Sequence, residues 1–281
     1  MGSSAPASSG SRPSRLLAVC ATPIGNLEDV TLRVLRELAE ADLVLCEDTR
    51  RTKVLLKRHG IEAKLLSYHE HNEAERTAQL LPRLKSGERI ALTSDAGLPG
   101  VSDPGTRLIE AALEMGVPVT VLPGPSAVET ALVASGLVGE RYQFLGYLPR
   151  AEAARVALWA ELAAWPHSAV AFESPRRLPA SLRSVADALP ERPVAVCREL
   201  TKRFEEVVRG SALEVARRFP EPPRGEITIV VGPAAVKRGA EEDALAAVAE
   251  LVDAGLGRWR AADLVARLTG HSRNSLYRAS L

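Results

Sequence analysis

The chain has 281 residues, 46% of them hydrophobic and 25% charged, an ordinary globular composition with enough length for two domains. Its formal net charge of +1 gives no overall basicity of the kind that indicates a nucleic-acid-binding protein. No apolar run approaches the roughly 18 residues of a membrane span. The three cysteines lie in apolar runs without metal-site spacing, so we expect a cytoplasmic protein with reduced core thiols.

The first ordered element is expected after a polar leader. Residues 1–15 are rich in Ser, Gly, Pro and Ala and lack the apolar centre of a signal peptide, so they predict a disordered extension. Residues 16–21 are apolar and predict a buried strand, which ends in the loop 22–26, Thr-Pro-Ile-Gly-Asn. Asn26 or Asp29 is the expected N-cap of the helix that follows.

Two segments that follow have the residue types of ion-binding sites. After a strand at residues 43–46, the run 49–58 holds five basic residues and no acid. That run indicates either an anion-binding surface or an ordinary solvated helix face. His69 and His71 are spaced for one face of a strand, but no further His or Cys cluster completes a site, so we predict no metal.

The most irregular segment is the loop 94–105, Ser-Asp-Ala-Gly-Leu-Pro-Gly-Val-Ser-Asp-Pro-Gly. It follows a predicted strand at 90–92 and precedes a predicted helix at 106–115. Three glycines and two prolines exclude a helix or strand here. Loops at the carboxyl ends of strands are where α/β proteins bind ligands, and glycines let a ligand approach the main chain. The loop therefore predicts a binding site.

A third loop of this kind, residues 123–127, follows a predicted strand at 117–122. Ser126 is the expected N-cap of the next helix, which Gly136 should terminate. Strands and helices alternate regularly up to this point, which favours a mostly parallel sheet with crossover helices.

The second half of the chain predicts five more strands. The last of them is almost continuously apolar, which is typical of a central strand. The five lie at residues 143–148, 169–172, 194–197, 204–208 and 226–231.

The composition changes again near the carboxyl end. From residue 240 the chain is rich in Ala, Leu and Arg, and residues 258–278 carry five arginines against the single acid Asp263. This tail predicts a helical module of helix-turn-helix size. We therefore predict an α/β protein with an N-terminal α/β domain at 16–122, a C-terminal α/β domain at 123–235 and a helical tail at 240–281.

Common catalytic signatures are absent from the sequence. It has no Gly-x-Gly-x-x-Gly after the first strand, no Walker loop and no Gly-x-Ser-x-Gly. Polar residues gather instead at predicted strand ends, where they would line one cleft if the strands lie side by side. They are Asp48 with Arg50, Asp95 with Asp103, Glu173 with Arg176, and Glu199 with Lys202.

Six segments together resemble the ribosomal RNA small subunit methyltransferase I family of the tetrapyrrole methylase superfamily. Their order along the chain is also that of the family, and the resemblance covers about residues 16–233. The segments are residues 21–27, 46–50, 94–105, 122–127, 172–177 and 198–206.

The resemblance implies a two-domain tetrapyrrole-methylase-like fold with S-adenosyl-L-methionine (SAM) in the cleft between the domains, usually in a homodimer. It implies methyl transfer to the ribose 2′-hydroxyl of a cytidine in the decoding region of 16S ribosomal RNA, within the small ribosomal subunit. By position it assigns to the cofactor Pro23, Ile24, Gly25, Asp95, Ala96, Gly97, Leu98, Val101, Ser102, Asp103, Ser126, Ala127, Phe172 and Leu200.

Methyl transfer from a sulfonium needs no metal, because the reaction depends chiefly on aligning oxygen, carbon and sulfur. A base would assist the weakly nucleophilic ribose hydroxyl. The candidates are Glu173 and Lys202, with Asp48 and Glu199 behind them. Two alternatives stay open: these residues form salt bridges that only shape the cleft, or alignment suffices without a base.

Cationic side chains near the predicted cleft are expected to contact phosphates, which position a strand without reading its sequence. They are Arg50, Arg51, Arg176, Arg177 and Lys202. The arginine-bearing tail is a second candidate contact, with a dimer-stabilising or solvated helix pair as its alternative.

Two other functions are compatible with these features. One is a methylase of a tetrapyrrole or corrinoid precursor, whose carboxylates would also suit arginines. The other is a non-catalytic ribosome-assembly protein that keeps a cofactor pocket.

Overall fold

The computed structural model describes residues 16–100, 103–234 and 241–281. The expected extension at 1–15 and the expected cofactor contacts Val101 and Ser102 lie outside these ranges. In the described residues, no helix combines the length and the apolar character needed to cross a membrane.

The first half contains a five-stranded sheet in which every neighbouring pair is parallel, in the order β3-β2-β4-β1-β5. This confirms the parallel sheet expected from the alternation of strands and helices; the short strand β3 was not predicted. The strands are β1 (Leu16–Cys20), β2 (Leu43–Cys46), β3 (Leu65–Ser67), β4 (Arg89–Thr93) and β5 (Val119–Leu122).

Four helices cover this sheet: α1 (Leu32–Glu40), α2 (Thr49–Arg58), α3 (Glu73–Ser86) and α4 (Thr106–Glu114). Alternate residues of β1 point to opposite layers, because Leu16 packs with α1 and α2 whereas Leu17 packs with α3 and α4. Burial on both faces explains why β1 is apolar at every position.

The helix α1 begins differently from the prediction. The Thr31 hydroxyl caps it, accepting a hydrogen bond from the Val34 amide at 3.2 Å. Asn26 instead caps a short 3-10 helix, Leu27–Asp29, so the assignment of Asn26 or Asp29 as the cap of α1 is wrong. The capping chemistry was recognised, but this extra turn lies between the predicted cap and the helix.

The second half contains a mixed sheet in the order β6-β7-β10-β8-β9, in which β6 and β7 are parallel and the other pairs are antiparallel. β10 lies at its centre, as its apolar sequence predicted. β9 begins and ends later than the predicted 204–208. The strands are β6 (Tyr142–Tyr147), β7 (Ser168–Glu173), β8 (Pro193–Arg198), β9 (Glu206–Ser211) and β10 (Ile227–Val231).

One face of this sheet packs against α6 (Glu152–Ala163), α7 (Leu178–Ala188) and α8 (Ala212–Arg218). The other face packs against α5 (Ala127–Ser135). Gly136 ends α5 in a left-handed conformation, as predicted. Ser126 occupies the N-cap position, but its hydroxyl donates to the Glu129 carboxylate instead of capping the helix.

The core beneath α5 also contains Ile24, which belongs to the loop after β1. The two halves of the chain therefore share one apolar cluster. Because α5 packs on the second sheet, we propose that the second domain starts near residue 123 and ends near residue 235.

The tail forms three helices, α9 (Glu241–Asp253), α10 (Arg258–Thr269) and α11 (Arg273–Ala279), as the sequence predicted. Their buried apolar side chains form a separate cluster. Elsewhere, Cys20, Cys46 and Cys197 are all buried and free, in agreement with the expected core thiols.

Candidate active site

A cleft is lined by strand residues of the second sheet and by the loops that follow strands of the first sheet. It encloses about 1100 Å³, and a second hollow of about 300 Å³ adjoins it. The loops 95–98 and 123–127 line the larger space, the loop 22–25 lines the smaller one, and Ile24 and Asp95 border both. Three loops that are far apart in the sequence thus meet at the carboxyl edge of the parallel sheet.

Every described residue that the resemblance assigns to the cofactor borders one of the two spaces. Pro23, Ile24 and Gly25 line the smaller hollow. The cleft is lined by Ile24, Asp95, Ala96, Gly97, Leu98, Asp103, Ser126, Ala127, Phe172 and Leu200.

Main-chain pairing joins the first loop to the second. The Thr22 amide donates to the Gly97 carbonyl at 2.8 Å, and the Gly97 amide donates to the Thr22 carbonyl at 3.0 Å. The Thr22 hydroxyl adds a bond to the Ser94 carbonyl at 3.0 Å. Gly97 has a φ of +80°, a left-handed conformation that glycine adopts without strain. The glycine thus permits the pairing that fixes both loops.

Gly25 brings the first loop against the second half of the chain. A Cβ atom at this position would lie 2.5 Å from Lys202 Cγ and 2.9 Å from the Leu200 carbonyl oxygen. The neighbouring Asn26 amide donates to the Thr201 hydroxyl at 3.0 Å. No larger side chain fits at residue 25 unless the turn 199–202 moves.

That turn has an unusual backbone. Glu199 and Thr201 have φ values of 53° and 64°, a region that residues other than glycine rarely adopt. The Glu199 carboxylate accepts from the Glu226 amide at 2.9 Å, and the Thr201 amide donates to the Glu205 carboxylate at 2.6 Å. These bonds hold the strained turn in a shape that places Leu200 at the cleft.

One wall of the cleft is acidic. Glu47, Asp95 and Asp103 line it, and Arg51 approaches Asp95 at 3.4 Å. Burial is the main cause that raises the pKa of Asp103 to about 6, and the negative charge of Glu47 is the second. Burial also raises the pKa of Glu47. This wall would attract a cation. The contribution of Glu47 was not predicted, because its side chain meets the other two carboxylates only in the folded chain.

Another part of the lining is an aromatic cluster. Phe172 lies edge to face with Phe144, at 5.0 Å between ring centroids, and with Tyr147, at 5.6 Å. The pairing of β6 with β7 shifts register between Phe144 and Tyr147, where Gly146 has a φ of +67°. Tyr147 is 61% exposed. Neither aromatic neighbour of Phe172 was predicted, although both lie close to a glycine in a predicted strand of a chain that has few aromatic residues.

Glu173, a candidate base, is fully engaged by its surroundings. Its carboxylate accepts from the Ser174 amide at 2.6 Å and the Ser181 hydroxyl at 2.5 Å, and it pairs with Arg177 at 2.5 Å. The side chain is buried. These contacts use the lone pairs that a base would need, which favours the alternative of a salt bridge that shapes the cleft.

Asp48 is engaged in a comparable way. Its carboxylate caps α2 through the Arg50 amide at 2.8 Å and pairs with the Arg50 guanidinium at 2.7 Å. These hydrogen bonds lower the pKa of Asp48 to about 2. A carboxylate so stabilised in its charged form is a weak proton acceptor.

Lys202 is held between two carboxylates. Its ammonium lies 2.9 Å from both Glu199 and Glu226. Burial opposes the charge, but hydrogen bonds to Glu226 and Glu199 outweigh it and raise the pKa of Lys202. A lysine accepts a proton only when it is neutral, so this environment also favours a cleft-shaping role.

The four arginines expected to contact RNA differ in availability. The side chains of Arg50 and Arg51 are 88% and 60% exposed, and Arg176 is exposed. Arg177 is partly buried, donates to the Leu148 carbonyl at 3.0 Å and pairs with Glu173. Three of the four therefore present a cation to solvent.

The described residues contain no group of three or more His, Cys, Asp or Glu side chains arranged to hold a metal ion. His69 and His71 contact each other edge to face, with ring centroids 5.9 Å apart. The His69 ring also lies 3.1 Å from the Asn72 amide nitrogen.

The sequence of this chain is similar to a known protein family and to several of its members. The family described as Tetrapyrrole (Corrin/Porphyrin) Methylases matches residues 17–216. A ribosomal RNA small subunit methyltransferase I from Mesorhizobium japonicum is 44% identical over 268 residues, covering 94% of this chain and 91% of that protein. The protein of the same name from Thermotoga maritima is 44% identical over 216 residues, covering 76% of this chain and 97% of that protein.

Solved structures share the fold at lower identity. The uroporphyrin-III C-methyltransferase of Thermus thermophilus, complexed with S-adenyl homocysteine, has a TM-score of 0.55 and 21% identity. That match covers 78% of this chain and 97% of the other. A cobalt precorrin-4 methyltransferase has a TM-score of 0.58 and 18% identity, covering 79% and 98%. These similarities confirm the α/β fold, and a two-domain arrangement is consistent with them.

The raised pKa of Asp103 predicts a specific pH dependence of stability. Protonated Asp103 holds its proton more tightly in the folded chain than in the unfolded chain. This difference adds to the free energy of unfolding at low pH, and the added stability is lost as the pH rises from about 4 through about 6. In urea titrations across this range, Asp103→Asn should gain stability relative to the wild type as the pH rises. Asp48→Asn is the control, because the lowered pKa of Asp48 places its change below pH 4. Equal slopes for the wild type and Asp103→Asn would contradict the prediction.

Proposed function

The chain belongs to the ribosomal RNA small subunit methyltransferase I family, within the tetrapyrrole methylases, and from this premise we propose that it methylates 16S ribosomal RNA. The proposed reaction transfers a methyl group from SAM to the ribose 2′-hydroxyl of a cytidine in the decoding region. The observation that supports this proposal is that three loops from separate parts of the sequence and residues of the second sheet line one cleft and its adjoining hollow. We further propose that the enzyme is a cytoplasmic homodimer and acts on the small ribosomal subunit.

The chemistry of the cleft fits SAM. SAM supplies an electrophilic methyl group on a positively charged sulfur, and it carries a second positive charge on its amino group. Glu47, Asp95 and Asp103 provide complementary negative charge along one wall. Apolar side chains such as Phe172 and Leu200 line the other side and suit the adenine ring. The volume of about 1100 Å³ leaves room for an acceptor nucleotide beside the cofactor.

We propose that alignment supplies most of the catalysis. In the proposed transfer a C–O bond to the ribose would form as the C–S bond of SAM breaks, and the hydroxyl proton would leave to water. The paired loops around Thr22 and Gly97 and the turn 199–202 are rigid, which suits the positioning of reacting atoms. Lys202 would act by holding the turn 199–202 through Glu199, Asp48 by holding the start of α2 and Glu173 by holding the loop that leads to Arg177, because each is already committed to an ion pair.

Exposed cations near the cleft would hold the RNA. We propose that Arg50, Arg51 and Arg176 contact phosphates, while Arg177 fixes the Glu173 loop. Tyr147 extends the aromatic wall to the surface, where it would stack on the target base. These assignments connect the cofactor cleft to the surface from which a nucleotide enters.

The proposed function is tested with labelled SAM and three acceptors: small subunits from cells lacking this protein, naked 16S RNA and a corrinoid precursor. We expect label in the subunits, mapped by mass spectrometry to one cytidine ribose. Label found only in the corrinoid would favour a tetrapyrrole methylase instead. Failure to bind SAM in calorimetry would favour a non-catalytic assembly protein.

The crowding at Gly25 predicts a defect in cofactor binding. Gly25→Ala would force the turn 199–202 away from the first loop, because the new methyl overlaps Lys202 and Leu200. We expect SAM affinity measured by calorimetry to fall by about tenfold or more. Gly257→Ala is the matched control, since a Cβ there meets nothing within 4 Å. Unchanged SAM binding in Gly25→Ala would rule out the assigned role of this contact.

Alignment without a dedicated base predicts modest kinetic effects at the three candidate positions. Asp48→Asn, Glu173→Gln and Lys202→Met should lower kcat by less than about tenfold and leave the shape of its pH profile unchanged. A true base contributes about 10²–10⁴-fold. A variant that loses that much in kcat with SAM affinity intact, together with one limb of the pH profile, would identify the base and refute alignment alone.

A further inference from the structure

The carboxyl-terminal helices form a unit with a core of its own. The buried side chains of Ala244, Val248, Ala262, Val265 and Leu276 pack with one another across α9, α10 and α11. The tetrapyrrole methylase match ends at residue 216, before this unit begins. About a quarter of this chain is unmatched by the Thermotoga relative, although that protein is covered over 97% of its length. The three-helix module therefore lies beyond the residues that the methylase family matches.

The last two helices are joined by a short turn, residues 270–272, of the length found in helix-turn-helix units. Gly270 ends α10 with a φ of +74°, and Ser272 caps α11 by accepting a hydrogen bond from the Ser275 amide at 3.4 Å. The Arg258 guanidinium donates to the Ser280 carbonyl, which ties the start of α10 to the end of α11. The relative position of the two helices is thus fixed by contacts inside the module.

A stacked pair of side chains marks one surface of this unit. The Arg273 guanidinium lies over the Trp259 ring, 5.0 Å from its centroid, and the ring is 56% exposed. Asp263 pairs with Arg267 at 3.4 Å and with Arg273 at 3.9 Å, so these side chains are neighbours. Arg260 is exposed one residue beyond Trp259. We call Trp259, Arg260, Arg267 and Arg273 the Trp–Arg patch.

Charge is strongly segregated within the module. Helix α9 has five acids and no base, whereas residues 258–281 have five arginines and one acid. An ordinary solvated face mixes both signs of charge. Arginines contact phosphates, and exposed aromatic rings stack on unpaired bases. The combination of both side-chain types at one place is typical of a surface that binds single-stranded nucleic acid.

We propose that the Trp–Arg patch binds an unpaired segment of ribosomal RNA, with Trp259 stacking on a base and Arg260, Arg267 and Arg273 contacting phosphates. This proposal rests on the proposed RNA substrate and adds a second contact outside the methylase domains. A double-stranded partner fits less well. Helix α11 has seven residues, and the major groove of an RNA duplex is too narrow for side chains to read.

The test compares patch variants of the full chain for binding to single-stranded fragments of 16S RNA and to small subunits. Trp259→Ala should weaken fragment binding by about tenfold, and Trp259→Phe should restore most of it. Arg267→Ala combined with Arg273→Ala should lower the slope of log affinity against log salt by about 1.4, from two lost phosphate contacts. SAM affinity should be unchanged in every variant, because the patch is formed by the module alone.

Two controls lie on the same helices. Arg278→Ala removes an exposed arginine of α11, and Leu268→Ala removes an exposed apolar side chain of α10; neither belongs to the patch. Both should bind RNA like the wild type. Equal losses in Arg278→Ala and the patch variants, or tighter binding of duplex DNA than of single-stranded RNA, would overturn the proposal.

The outcomes also separate this proposal from the proposed function. If the wild type methylates subunits and the patch variants bind RNA fragments normally, the patch is refuted and the function stands. If the wild type methylates no RNA but Trp259→Ala still weakens fragment binding, the function is refuted and the patch stands.

Discussion

The loop after β1 is the element on which the rest of the site depends. It pairs with the second loop through Thr22 and Gly97, and it presses against the turn 199–202 at Gly25. Ile24, between these contacts, enters the apolar core beneath α5. One short segment is thus bonded to the first sheet, packed into the second core and exposed to both hollows. A cleft between two domains keeps a constant shape only when such a contact couples them.

The charged side chains around the cleft are of two kinds: carboxylates that lie close to one another, and side chains that are paired with an opposite charge. The acidic wall is created by carboxylates that the fold brings together from separate strand ends. Burial, and then the repulsion from the neighbouring carboxylates, raises the pKa of Asp103 to about 6. A bound cation would relieve that repulsion. Charged side chains at other places around the cleft are neutralised within the protein, as Glu173 is by Arg177 and Lys202 is by Glu199 and Glu226. Ion pairs of this kind favour the interpretation that these side chains shape the cleft.

Charges of opposite sign are concentrated on different surfaces of this protein, although its net charge is close to zero. The chain has a formal charge of +1, yet it contains an acidic cleft, an acidic helix α9 and exposed arginines on α2 and on the last two helices. Such separation lets one chain attract a cationic cofactor and a polyanionic acceptor at different surfaces. The exposed aromatic rings of Tyr147 and Trp259 lie beside these charges and suit contacts with bases.

The sequence alone determined the features that depend on local patterns: the parallel first sheet, the central position of β10, the helical tail and the loops of Gly and Pro at strand ends. Periodicity and backbone preference act over a few residues, so they are readable without the fold. Only the tertiary structure showed that Thr31 caps α1 and that Glu47 lines the cleft together with Asp95 and Asp103. It also showed that the Glu173 carboxylate is bound by Arg177 and Ser181. These outcomes depend on contacts between residues that are far apart in the sequence. The sequence does not distinguish a carboxylate that faces a ligand from one that is paired with an arginine.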